Sequence, residues 1–222
     1  MDNLKRRLIA EALGTCLLVT AVVGSGIMAD NLTNDVALAL LCNTIATAAA
    51  LVVLISVFGP LSGAHFNPAV SLVIFVMQEM PLPAFIGYCV AQVLGGIAGT
   101  FLAHAMFDLP VLQMSTHIRA GSGQWLAEFI ATFGLLLTIL PVRKSNPNNI
   151  PMLVGLYIAA AYWFTASTSF ANPAVTIART LTDTFAGIRP IDAPAFIVVQ
   201  IAGAFVAMIF TGYLFSGVKR TD

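Results

Sequence analysis

The chain has 222 residues, 59% of them hydrophobic and 9% charged, with ten basic residues balancing ten acidic ones and a mean hydropathy of +0.92. A soluble domain carries about 25% charged residues, so this composition excludes an ordinary soluble fold and points to lipid. The zero net charge leaves no basic surplus to neutralise phosphates and excludes nucleic-acid binding. Cys16, Cys42 and Cys89 fall inside apolar runs with no CxxC or His-rich spacing, which excludes a metal site and predicts three buried free thiols.

A bilayer core about 30 Å thick needs roughly 20 helical residues to cross it. The first such stretch follows Lys5, Arg6 and Arg7, runs over 8–28 and contains Glu11. It is longer than a signal-peptide core and is expected to remain as the first membrane helix. A second stretch covers 36–58. The segment 63–77 then begins polar and continues from Asn67-Pro68-Ala69 as a short apolar helix. Asn before Pro is a helix start: Asn caps free N–H groups, and Pro is tolerated at the first helical position. About ten helical residues do not span a bilayer. Coming directly after a complete span, the segment is expected to re-enter the membrane, where non-helical backbone persists only if protein buries it or it lines a cavity.

Further spans are expected over 85–107, 125–142 and 151–167. A second re-entrant segment starts at Phe170 and carries Asn172-Pro173-Ala174, and the last span covers 193–215. With the N-terminus inside, seven basic residues (Lys5, Arg6, Arg7, Arg143, Lys144, Lys219, Arg220) are cytoplasmic and three (Arg119, Arg179, Arg189) external, which predicts both termini inside. The expected fold class is an all-α membrane protein of six transmembrane helices plus two re-entrant half-helices.

The two halves, about 1–110 and 120–222, resemble each other. The Glu11 region matches the Glu128 region, Asn67-Pro-Ala-Val matches Asn172-Pro-Ala-Val, and Gln92-Val-Leu-Gly-Gly matches Gln200-Ile-Ala-Gly-Ala. The offsets are 117, 105 and 108 residues, as for one ancestral unit with loop changes. Three spans per half invert the second, so the half-helix N-termini are expected to meet at the midplane. There each presents about half a positive charge and an Asn amide, repelling cations and offering donors to hydroxyl oxygens.

Ser62-Gly-Ala-His-Phe-Asn-Pro-Ala-Val70 and the paired Asn-Pro-Ala motifs resemble the major intrinsic protein family, the aquaporins and aquaglyceroporins. The resemblance covers essentially the whole chain. It implies a right-handed aquaporin-like bundle forming one channel domain, a homotetramer with a pore in each protomer, a cell (inner) membrane location and no cofactor. It also implies a four-residue filter. Carrying the family's spacing over gives Thr47, twenty before Asn67, Ala160, twelve before Asn172, and Ser169 and Val175, three either side of Asn172. The family usually has Arg at the last of these. With Val there, the chain resembles the bacterial aquaglyceroporins linked to arsenic resistance, which implies arsenite and methylated arsenicals as solutes beside water and glycerol.

Glu11 and Glu128 are intramembrane carboxylates, which by default mark an ion pathway; one per half, they are expected instead to accept N–H groups of the re-entrant loops, as are Gln92 and Gln200. His65 is expected to hold its loop by hydrogen bonding, with a pH gate as the other reading. Arg179, four residues after Val175, is expected either to line the outer vestibule or to snorkel to the headgroups. Gly95, Gly96 and Gly99, and Gly203 with Ala207, are expected to let helices approach closely. Tyr157, Tyr162 and Trp163, close to Ala160, are expected to pack against lipid or neighbouring helices, with one of them facing the lumen as the other reading, and 146–151 to form a turn, with a pore gate as the other reading. Two other functions compete. An ordinary water and glycerol facilitator differs in filter width, and a secondary transporter would need an ion-coupling site that no further deep acid supplies. No nucleophile, base or metal cluster suggests an enzyme.

Overall fold

The computed structural model describes residues 2–216 and is helical throughout, with no strand among the described residues. Eight α-helices follow in order: α1 Asp2–Leu32, α2 Val36–Ser62, α3 Pro68–Val76, α4 Leu82–Met106, α5 Ser122–Ser145, α6 Ile150–Phe164, α7 Pro173–Arg179 and α8 Ala193–Leu214. Lys219 and Arg220, used above for orientation, lie outside the described residues. By length and composition α1, α2, α4, α5 and α8 suffice to cross a membrane. The helix α6 has 15 residues, about 22 Å at 1.5 Å per residue. Its end differs from the expected 151–167, because Thr165 leaves the helix for extended backbone (φ −109°, ψ 135°) and residues 165–167 belong to the following loop.

The helix α1 packs on α2 and α4, α5 packs on α6 and α8, and α2 against α6 joins the halves. Small residues make the closest crossings. A Cβ on Gly95 or Gly99 would collide with the carbonyl oxygens of Ala12 and Cys16, and one on Gly203 with that of Phe129. Gly95→Val is therefore expected to destabilise by about 1–3 kcal/mol, read as a lower unfolding temperature in detergent; an unchanged temperature would mean α1 and α4 separate freely. The cysteines are free but not buried as expected: Cys42 is exposed, and Cys16 and Cys89 are half-buried. In a chain with so apolar a surface, a thiol at a helix's outer face costs nothing to expose to lipid.

The long loops beyond the helices are tied by carboxylates. Asp183 accepts the Thr116 N–H at 2.8 Å and its hydroxyl at 2.9 Å, and these two bonds hold its carboxyl below the usual range. Asp192 receives Arg189 at 3.0 Å through both Nε and Nη2, and the Arg119 N–H at 2.9 Å; the Arg189 bonds lower it against the opposing effect of burial. Because the folded values are lowered, this tie is complete above the ordinary carboxylate pKa of about 4 and lost as pH falls through the folded values. Hydrogen exchange over 110–121, corrected for intrinsic rates, should accelerate only once pH falls below the ordinary carboxylate value of about 4, and Asp183→Asn should reproduce part of that at neutral pH. Equal protection at both pH values would show that the loop is held otherwise.

Candidate functional site: a lumen at the junction of two half-helices

Asn67 and Asn172 cap α3 and α7. The Asn67 side-chain oxygen accepts the Ala69 N–H at 2.9 Å, and that of Asn172 accepts those of Ala174 at 2.9 Å and Val175 at 3.3 Å. Pro68 and Pro173 follow at the first helical position, where no N–H is needed. Each Asn also reaches across to the other loop: Asn67 Nδ2 donates to the Ala171 carbonyl at 2.7 Å, and Asn172 Nδ2 to that of Phe66 at 2.8 Å. One N–H of each amide is thus committed, leaving the other for the lumen.

The loops before the two caps share one backbone pattern. Left-handed φ occurs at Gly63 (86°), Ala64 (48°) and Phe66 (48°), and again at Thr168 (62°), Ser169 (52°) and Ala171 (49°); both sets stand four, three and one residues before the Asn. Non-glycine residues resist this region, so something must hold them there. Glu11, fully buried, accepts four donors: Ser62 Oγ at 2.6 Å, the His65 N–H at 3.0 Å, the Phe66 N–H at 2.7 Å and Gln92 Nε2 at 2.8 Å. Glu128, equally buried, accepts the Phe170 N–H at 2.8 Å, the Ala171 N–H at 2.9 Å and Gln200 Nε2 at 2.6 Å. Each Gln also donates to the half-helix hydroxyl four residues after the Asn, Ser71 at 3.0 Å or Thr176 at 2.9 Å. His65 Nδ1 pairs with the same Ser71 Oγ at 3.0 Å, and its ring lies 5.2 Å from that of Tyr88.

A cavity of about 800 Å³ runs past both caps. Thr47, Ser169 and Val175 are all on its wall and nearly inaccessible, at 3%, 3% and 5% exposed. The Ser169 hydroxyl has no hydrogen-bond partner among the described residues. Ala160 is not on that wall; it is exposed on the outside of α6. Besides Pro151 in its first turn, the residues of α6 that face the cavity are Ile150, Val154, Ile158 and Tyr162, an i, i+4 stripe, and Ala160 lies about 200° round the helix from Ile158. Residues 165–171 separate α6 from Asn172, and a spacing carried over from the family fixes a face of α6 only where that loop has the family's length; here twelve residues back from Asn172 is the outer face. Ile158, two residues earlier, is on that wall. Tyr162 faces the cavity rather than lipid, its hydroxyl donating to Thr47 Oγ1 at 3.3 Å, while Trp163 is 50% exposed and the Tyr157 hydroxyl donates to the Ala131 carbonyl at 3.0 Å.

Beyond Val175, Arg179 also borders the cavity and is 3% exposed. Its guanidinium carbon lies 3.3 Å from the centroid of the Phe170 ring, and its Nε donates to the Ala186 carbonyl. Arg119 lies against the same ring at 5.0 Å, donating from Nε to the Gly187 carbonyl at 2.8 Å and from Nη1 to the Ser167 carbonyl at 3.1 Å. Sequence reasoning gave Arg119 and Phe170 no part in the site, missed Ile158, and named Tyr162 without settling which way it faces; a helical-face count from Val154 would have placed both α6 residues on the wall. At the opposite end the cavity is bordered by the Glu79–Arg143 ion pair and by Pro147 and Asn148 of the turn before α6.

Residues 1–170 match the model of the family described as Major intrinsic protein. The chain is 59% identical over 212 residues to Aquaglyceroporin AqpS of Rhizobium meliloti (strain 1021), covering 96% of this chain and 91% of that one. It is 36% identical over 188 residues to a Probable aquaporin TIP-type of Medicago truncatula, covering 78% and 74%. Its fold is that of the X-ray structure of the aquaglyceroporin from Plasmodium falciparum, with a TM-score of 0.75 at 23% identity over 97% of this chain and 98% of that one. The paired Asn caps, the carboxylate-held loops and these matches together make the chain a membrane-embedded member of the major intrinsic protein family.

Proposed function

We propose that the chain is an aquaglyceroporin that lets small neutral solutes diffuse passively across the inner membrane. Its solutes are water, glycerol, arsenite and methylated arsenicals. It works as a homotetramer with a pore in each protomer and both termini cytoplasmic, and its halves are the two inverted repeats. The observation that carries this reading is the uncharged wall formed by Thr47, Ser169 and Val175 beside the two capping amides. Arsenite is a neutral triol at pH 7, so it meets hydroxyl and amide partners there and no charge to repel or trap it. In this reading Ile158 replaces Ala160 as the fourth filter residue, Glu11, Glu128 and His65 support the loops, and Arg179 faces the vestibule.

One observation favours the narrower alternative of a water and glycerol facilitator. Ile158 and Tyr162 are bulkier than the Ala expected on the α6 wall. Stopped-flow permeabilities of proteoliposomes for water, glycerol, urea and arsenite decide between the two. Wild-type protein is expected to pass all four, and Val175→Arg to lower glycerol and arsenite several-fold more than water, because it adds a guanidinium to a wall now lined by a methyl pair. Passage of water and glycerol without arsenite would select the narrower facilitator.

A further inference from the structure

Arg119 and Arg179 are two guanidiniums against one aromatic ring, and neither forms an ion pair among the described residues. The acids nearby are hydrogen-bonded elsewhere and touch neither guanidinium. Both oxygens of Glu128 hold the loop N–H groups and Gln200, and Asp192 takes Arg189 and a backbone N–H. Backbone carbonyls and the Phe170 ring face satisfy part of each guanidinium's hydrogen-bonding and quadrupole demand, but they supply no countercharge. Buried charges in folded proteins are paired, whereas Glu128, the carboxylate that acts on both guanidiniums through space, forms an ion pair with neither.

Two sets of donors at this place are unspent. Arg179 uses its Nε on the Ala186 carbonyl, and its two terminal amino groups have no acceptor among the described residues although the side chain borders the lumen. Ser169, the residue before Phe170, also borders the lumen and has a buried hydroxyl with no partner. We propose that Arg179 and Ser169 bind a small monovalent inorganic anion at the end of the lumen beyond Val175, with Arg119 behind the Phe170 ring supplying the second positive charge. The donor set is small, and the carbonyls of Ser167, Ala186 and Gly187 stand close by, so a compact single charge such as chloride or nitrate fits and a phosphate dianion does not. The site rests on the channel reading in one respect: the anion occupies the solute's path, so its binding and solute passage compete.

The test is the excess ³⁵Cl line broadening of chloride by the purified protein in detergent, with glycerol flux into proteoliposomes read in chloride and in gluconate, an anion too bulky for the site. Wild-type protein is expected to broaden chloride, nitrate to reverse the broadening, and glycerol flux to be at least about twofold slower in chloride than in gluconate. Arg179→Met should remove both effects. Val175→Glu, which places a carboxylate one turn from Arg179 without deleting it, should also expel chloride, and it carries the test if Arg179→Met does not fold. Broadening no greater than that of Arg179→Met, or broadening retained in Val175→Glu, overturns the site. The channel reading is judged separately by glycerol flux in gluconate: flux without chloride binding sinks only the anion site, and chloride binding without flux sinks only the channel.

Discussion

Ile158→Trp should lower glycerol and water flux at least about tenfold, while Ala160→Trp leaves both within about twofold of wild type, since pore diameter sets passage in channels of this kind. The two positions are two residues apart on α6, yet Ile158 is 7% exposed on the cavity wall and Ala160 is exposed on the outside of the helix. An indole at Ile158 enters a lumen already bordered by Thr47 and Tyr162, whose hydroxyl is 3.3 Å from that of Thr47. An indole at Ala160 points away from the lumen, on the exposed face of the helix. The measurement is stopped-flow light scattering on proteoliposomes with matched protein content. The reverse pattern, with Ala160→Trp closing the pore and Ile158→Trp leaving it open, would restore the filter counted from the sequence and require α6 to be rotated by about half a turn.

That pair of positions also shows where sequence reasoning stopped. The half-helix starts were legible because Asn-Pro encodes a cap and a first turn in adjacent residues, and the structure places Asn67 and Asn172 at those caps. Glu11 and Glu128 were legible because a carboxylate in an apolar run needs donors, and unpaired loop N–H groups were the donors at hand. Ile158 was not, because a helix face depends on the number of loop residues between the helix and the motif, and a spacing carried over from a family does not carry that number for this chain. Arg119 was not, because it reaches Phe170 from a loop some fifty residues earlier in the chain, and no local pattern announces a long-range stack. Local chemistry and short-range spacing were therefore readable, and tertiary register was not.

Glu11→Leu is expected to prevent recovery of folded protein, and Glu128→Leu to lower the unfolding temperature sharply. Leucine fills the side-chain volume without accepting a hydrogen bond, so Glu11→Leu strands four donors and Glu128→Leu three. Each buried donor left unpaired costs about 1–3 kcal/mol, against a total stability of about 5–15 kcal/mol for an ordinary domain. The damage concentrates on the loops, where Ala64, Phe66, Ser169 and Ala171 hold left-handed backbone that these carboxylates maintain. A glutamine keeps one acceptor oxygen, so Glu11→Gln and Glu128→Gln should fold at reduced stability and still pass glycerol. Fluorescence-detected size-exclusion chromatography after graded heating reads all four variants. If instead the leucine variants unfold like wild type and the glutamine variants change only ion or proton movement across the membrane, the carboxylates belong to an ion pathway. The coupled transporter, set aside for want of a further deep acid, would then have its site.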